Sequence, residues 1–143
     1  MAIEREDPDS TRYLNVDLDI YARFDLQPLV QALGNMVVVL HVGRVKRTYR
    51  AHLEIVRFTK TADAAIRAFC SLIAALPPDS RELWDKATHR DFNVGVDAGF
   101  TPRAAEFVLG ADTVKAAAES GARIVFTVYA PQKPAQAGRP PAS

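Results

Sequence analysis

From Tyr13 to Tyr21 the chain alternates between apolar and polar positions. Val16, Leu18 and Ile20 fall on one side and Asn15, Asp17 and Asp19 on the other, with Leu14 out of step. This period of two predicts a half-buried strand with an acidic outer face. Asp25 then stands as a helix cap before the apolar stripe Leu26, Leu29, Val30 and Leu33, and Gly34 stops that helix. Pro28 is tolerated in the first turn. Residues 36–42, MVVVLHV, are apolar on both faces up to His41 and read as an interior strand. After the basic turn 43–47, residues 48–56 alternate again. Tyr49, Ala51, Leu53 and Ile55 lie on one side and Arg50, His52 and Glu54 on the other, and the two strands are expected to form a hairpin.

The second half begins with Thr61, a cap for the longest helix. Ile66, Phe69, Cys70, Ile73 and Leu76 follow as a stripe at helical spacing, and Pro77-Pro78 ends it. Asp79 or Ser80 starts a shorter helix carrying Leu83 and Trp84, with Glu82 placed for a capping box. Phe92, Val94 and Val96 alternate with Asn93, Gly95 and Asp97 as another half-buried strand. Thr101-Pro102 is a possible helix start, but the composition of 106–109, EFVL, favours a strand over 104–109 paired with 91–98. Asp112 caps a helix with Val114, Ala117 and Ala118 on one face, and Gly121 ends it. Residues 123–129, RIVFTVY, are rich in β-branched and aromatic side chains, with Ile124, Phe126 and Val128 directed inward. Pro131 closes the strand.

These elements specify an α+β fold: a single mixed, mostly antiparallel sheet of five to six strands with helices packed on one face. The domain spans 12–131. Residues 1–11 are expected to be a flexible N-terminus, and 132–143, proline-rich and low in complexity, a disordered tail. The expected core is Val16, Leu18, Leu29, Leu33, Val38, Leu40, Leu53, Ile66, Phe69, Ile73, Val94, Val96, Ile124, Phe126 and Val128. Truncation of a buried Phe126 to Ala would cost about 3–5 kcal/mol.

The chain of 143 residues is long enough for one domain with a core of its own. Its net charge of +1 argues against nucleic acid as a partner of the whole molecule. No apolar run approaches the roughly 18 residues of a membrane span. The acidic start, MAIEREDPDS, does not resemble a signal peptide, so a cytoplasmic location is expected.

The order of elements across about 12–130, closing with EFVLGADTVKAAAESGARIVFTVY at 106–129, resembles a widespread bacterial family of small α+β domains of unknown function, some associated with toxin immunity. The resemblance implies a protein-binding, immunity or accessory role and assigns no catalytic residue.

Candidate chemistry lies in two places. Asp17, Asp19, His41 and His52, with Asp97, can share one sheet face; nitrogen and oxygen donors there are of the type that bind divalent metals. No HxH or HExxH spacing supports this, so no metal or cofactor is assigned, and the set reads first as a solvated polar face. Asp17, Asp19, Glu54 and Asp97 are also of the type that does acid–base work, which requires a separation set by the fold. Cys70 sits within an apolar stripe, where cysteine acts as a small hydrophobe. His89 belongs to a connector. The second place is the basic turn, where Arg44, Lys46, Arg47 and Arg50 crowd around Tyr49, a combination suited to an acidic protein surface. GRVKR does not match a phosphate-binding loop. A non-catalytic protein-binding domain acting through its sheet face or basic hairpin is therefore the leading expectation. The alternative is a small ligand- or metal-binding, enzyme-like domain using the Asp/His face. Oligomeric state is left open.

Overall fold

The computed structural model describes residues 9–132. In chain order these form β1 (Arg12–Ala22), α1 (Gln27–Leu33), a single 3-10 turn (Gly34–Met36), β2 (Val37–Val45), β3 (Thr48–Ile55), α2 (Ala62–Ala74), α3 (Pro78–Lys86), β4 (His89–Asp97), α4 (Ala111–Ser120) and β5 (Arg123–Tyr129). The strands make one five-stranded sheet in the order β2-β3-β1-β4-β5. Neighbours are antiparallel except β4 and β5, which run parallel because α4 crosses over between them. The sheet is thus mixed and mostly antiparallel, within an α+β fold.

The central strand β1 behaves as its alternation predicts. Val16, Leu18, Ile20 and Ala22 are buried, joining Leu53 of β3 and Phe92 and Val94 of β4 under the helices. From the helices come Leu29 and Leu33 of α1, Ile66, Phe69 and Ile73 of α2, Trp84 of α3 and Ala117 of α4. The Phe69 and Phe92 rings stack with centroids 5.8 Å apart. Thr61 caps α2 by accepting from the Ala64 amide at 3.2 Å; Asp25, expected to cap α1, stands one residue before the actual N-cap, Leu26, and accepts from the Gln27 amide at 3.0 Å. Gly121 ends α4 in the left-handed conformation, φ 76°.

Several expectations are corrected. Residues 37–45 form an edge strand, not an interior one, so Val38 and Leu40 are 43% and 52% exposed instead of buried. The strand β5 is the opposite edge, and Phe126 and Val128 are 51% and 61% exposed; Phe126→Ala therefore cannot cost what a buried phenylalanine costs. Residues 104–110 join no ladder, because β1 and β5 already occupy both sides of β4. Two helix starts shift as well. Pro77, not Asp79, is the N-cap of α3, and Gly110 is the N-cap of α4, with Asp79 and Asp112 in the first turns. In place of a side-chain cap on α4, Asp63 of α2 accepts from the Gly110 amide at 2.8 Å.

Residues 9–11 are tied to the segment after β4. Ser10 bridges Thr101, and the Thr11 amide donates to the Thr101 carbonyl at 2.7 Å. Gly99 lies so close that a Cβ there would collide with the backbone of Asp9 and Ser10. The expectations for residues 1–8 and 133–143 fall outside the described residues. No helix among the described residues is long and apolar enough to cross a membrane.

Candidate functional site

The polar positions of β1 all fall on the face away from the helices, and the register decides what they meet. Asp17 stands opposite Glu54 on β3 and Asn93 on β4. Asp19 stands between His52 and Asp91, and Tyr21 between Arg50 and His89. Arg123, Val125 and Thr127 of β5 continue the face beside Asp91, Asn93 and Gly95.

These side chains hold one another in three neighbouring hydrogen-bonded groups: Asn15 with Asp17 and Glu54, His52 with Asp19, Asn93 and Thr127, and Arg123 with Asp91. Asn15 Nδ2 donates to Asp17 Oδ1 at 3.0 Å and to Glu54 Oε1 at 2.9 Å. His52 Nδ1 lies 2.7 Å from Asp19 Oδ1, and Asn93 Nδ2 donates to Asp19 Oδ2 at 3.4 Å. Thr127 Oγ1 donates to Asn93 Oδ1 at 2.7 Å. Arg123 grips Asp91 with two bonds, Nε to Oδ1 at 2.7 Å and Nη2 to Oδ2 at 2.8 Å. That fork supplies the partner a 7% exposed carboxylate requires.

The two ends of the face differ in character. At the Asn15 end, burial raises the Asp17 carboxyl to about 6, and the neighbouring charges of Glu54 and Asp19 and a hydrogen bond with Glu54 push the same way against a smaller opposing effect of His52. At the Tyr21 end the groups are aromatic and basic. The Arg50 guanidinium lies 5.3 Å from the Tyr21 ring centroid, and Tyr21 meets the His52 and His89 rings edge to face at 5.9 Å. The β2–β3 turn projects from this same end, since Tyr49 and Arg50 pair with Ala22 and Tyr21.

The residues singled out in the sequence are partly assembled by this register. Asp17, Asp19 and His52 come together. His41 flanks them, its ring 5.9 Å from that of His52. Asp97 stands apart at the far end of β4, where its Oδ2 lies 3.4 Å from Arg12 Nη2. Among the described residues no group of three or more His, Cys, Asp or Glu is arranged to hold a metal ion. Asp19 pairs with His52, and the amides of Asn15 and Asn93 donate to Asp17, Glu54 and Asp19. A cleft between Arg12, Asp97, Phe100 and Tyr129, and another lined by Tyr13, Glu54 and Phe58, lie at the rim of the sheet and do not include Asp19 or His52. Cys70 is buried, and burial raises its thiol pKa, away from a nucleophile's range.

The basic cluster is divided by the strand pleat. Arg50 joins the open face over Tyr21, whereas Arg44 leans over Tyr49 at 5.8 Å and donates from Nε to the Lys46 carbonyl at 3.0 Å. Lys46 and Arg47 form the exposed tip, Lys46 with a positive φ of 58°. The sequence alone did not single out Asn15, Asp91, Asn93, Arg123 and Thr127, which join the hydrogen-bonded groups of this face, or Tyr21, which meets Arg50, His52 and His89 there. Only the alternation of β1 and β4 hinted that they share a face; their partners lie on strands 30 or more positions away.

No family model, curated protein or solved structure matches this chain.

Proposed function

We propose that the protein is a non-catalytic binding domain that receives another protein on the open face of its sheet, with the basic hairpin end meeting an acidic region of that partner. The observation that carries this reading is the row of hydrogen-bonded groups across that face. Side chains on a merely solvated sheet face move freely, whereas Asn15, Asp19, His52, Asn93, Asp91, Arg123 and Thr127 are held by mutual hydrogen bonds. Such a pre-ordered polar surface loses little side-chain entropy when covered. Its polarity, acidic at Asp17 and Glu54 and basic at Arg50 and the Arg44–Arg47 turn, sets the orientation of a partner. The immunity or accessory role implied by the closing pattern at 106–129 is one instance of such binding, and a cytoplasmic setting belongs to the same proposal.

The test begins with a photo-crosslinking residue at His41 on the open face and, as a control, at Arg81 on α3. The captured partner is then purified, and its association rate is followed against ionic strength with the wild type and with Arg44→Glu/Arg47→Glu. The double variant folds with stability within about 0.5 kcal/mol of wild type. It associates more slowly and with a shallower salt dependence, because long-range attraction acts on the on-rate. Equal capture from Arg81, or equal rates and salt slopes, removes this reading.

A second reading, a small ligand- or metal-binding domain, is favoured by one observation: a carboxyl at about 6 beside the Asp19–His52 pair. Thermal unfolding with added divalent cations separates the two readings. Stabilisation that saturates with cation and is lost in His52→Ala supports a ligand site.

A further inference from the structure

The β5 edge carries a second surface, independent of what the open face binds. The Tyr129 carbonyl accepts from the Ala98 amide at 2.9 Å, so Tyr129, Thr127, Val125 and Arg123 turn their backbone groups toward β4. By the same alternation Ile124, Phe126 and Val128 turn their N–H and C=O groups outward. No other strand of the described residues pairs with that side. Their side chains meanwhile lie on the helix face, where the helices leave Phe126 and Val128 more than half exposed. Exposed apolar side chains beside a row of unpaired backbone groups make an edge that proteins ordinarily blunt with lysine, proline or a bulge. The opposite edge has a bulge between Val39 and His41, whereas β5 pairs with β4 in unbroken register and carries one charge, Arg123, already gripped by Asp91.

We propose that β5 pairs antiparallel with β5 of a second copy of this chain, about a two-fold axis at Phe126. This register is self-complementary at every position. Phe126 meets Phe126 and Ile124 meets Val128, all with outward-facing backbone groups, so each N–H finds a carbonyl. On the other face Val125 meets Thr127, and Arg123 meets the Tyr129 ring, so no like charges oppose each other. Phe126 and Tyr129 each leave about 100 Å² in water on the isolated copy. With Val128 and both strand backbones, the seam buries on the order of 1,000 Å² in total, the lower end for a specific interface. The product is a continuous ten-stranded sheet, twice the five strands of one copy, that keeps both open faces free.

Sedimentation equilibrium of the full chain at about 100 μM tests this. The expected mass is twice 15.7 kDa. Phe126→Lys sets two ammonium groups at the two-fold and weakens dimerisation at least about tenfold, with circular dichroism showing that the fold persists. Val39→Lys on the opposite edge leaves the mass unchanged. Hydrogen exchange on the wild type gives a readout free of any variant. The amides of Ile124, Phe126 and Val128 slow as concentration rises, while those of Val125 and Thr127 do not change. A monomer throughout, a mass that grows past the dimer, equal loss in Val39→Lys, or a dimer that forms only after removal of residues 133–143 would each overturn the proposal.

Discussion

Asp17 and Glu54 stand opposite each other on β1 and β3 and share one amide group, that of Asn15, which donates to both carboxyls. Burial, reinforced by the charges of Glu54 and Asp19, keeps the proton on Asp17 up to about pH 6. Folding thus raises Asp17 from 3.8 to about 6. Between those values the folded state binds more protons than the unfolded chain, so stability falls as pH rises through the window and the loss is complete above it. Asp17 is only partly buried on the open face, and screening limits the effect to about 1–2 kcal/mol. Asp17→Asn, which mimics the protonated acid, is expected to flatten this part of the pH profile and to be more stable than wild type at pH 8 by about 1 kcal/mol. Urea unfolding at about pH 4 and pH 8 checks both statements; an unchanged pH slope in the variant rules out Asp17 as the titrating group.

The second prediction concerns Arg90, which joins the ends of two helices. Its Nη1 lies within 2.9–3.0 Å of the carbonyls of Trp84, Asp85 and Ala87, its Nε donates to the Gly121 carbonyl at 3.1 Å, and its guanidinium sits 5.9 Å from the Trp84 ring centroid. These carbonyls belong to the C-terminal ends of α3 and α4, where a cation is favoured and acceptors lack helical partners. Arg90→Ala is expected to cost about 2–3 kcal/mol. Arg90→Lys recovers little of it, because an ammonium cannot reproduce the planar fork. A loss below about 0.5 kcal/mol on unfolding would mean that water replaces the guanidinium without cost.

The third prediction concerns Lys46, whose φ of 58° holds a side-chain-bearing residue in the left-handed region. That conformation costs about 1–2 kcal/mol for a residue with a Cβ. Glycine removes the cost but loses more entropy on folding. Lys46→Gly is therefore expected to raise stability by up to about 1 kcal/mol, read as a higher urea midpoint at unchanged slope. A lower midpoint would show that the Lys46 side chain stabilises the turn.

The fourth prediction separates Phe92, a buried residue of β4, from Phe126, which its strand pattern alone placed in the core. Phe92→Ala empties a fully buried site stacked on Phe69 and is expected to cost about 3–5 kcal/mol. Phe126→Ala, on a monomer held by dilution, costs about 1 kcal/mol, because half of the ring is already in water. Equal losses would place Phe126 under the helices after all.

Local pattern was enough wherever one element's own faces differ. The alternation of β1 placed Val16, Leu18 and Ile20 in the core, the stripe of α2 placed Ile66, Phe69 and Ile73 there, and Thr61 and Gly121 marked helix ends through conformations settled within a few residues. The strand order lay beyond such a pattern. Residues 37–40, VVVL, and 123–129, RIVFTVY, carry the hydrophobicity of interior strands, yet β2 and β5 are the edges because β3, β1 and β4 fill the middle. Which strand neighbours which is decided by contacts far apart in sequence, and hydrophobicity does not encode that order. The same distance governs the candidate site. Its polar residues were visible one strand at a time, but the meeting of Asn15 with Glu54, Asn93 with Thr127 and Asp91 with Arg123 follows from register, where a shift of one residue would send each side chain to the opposite face.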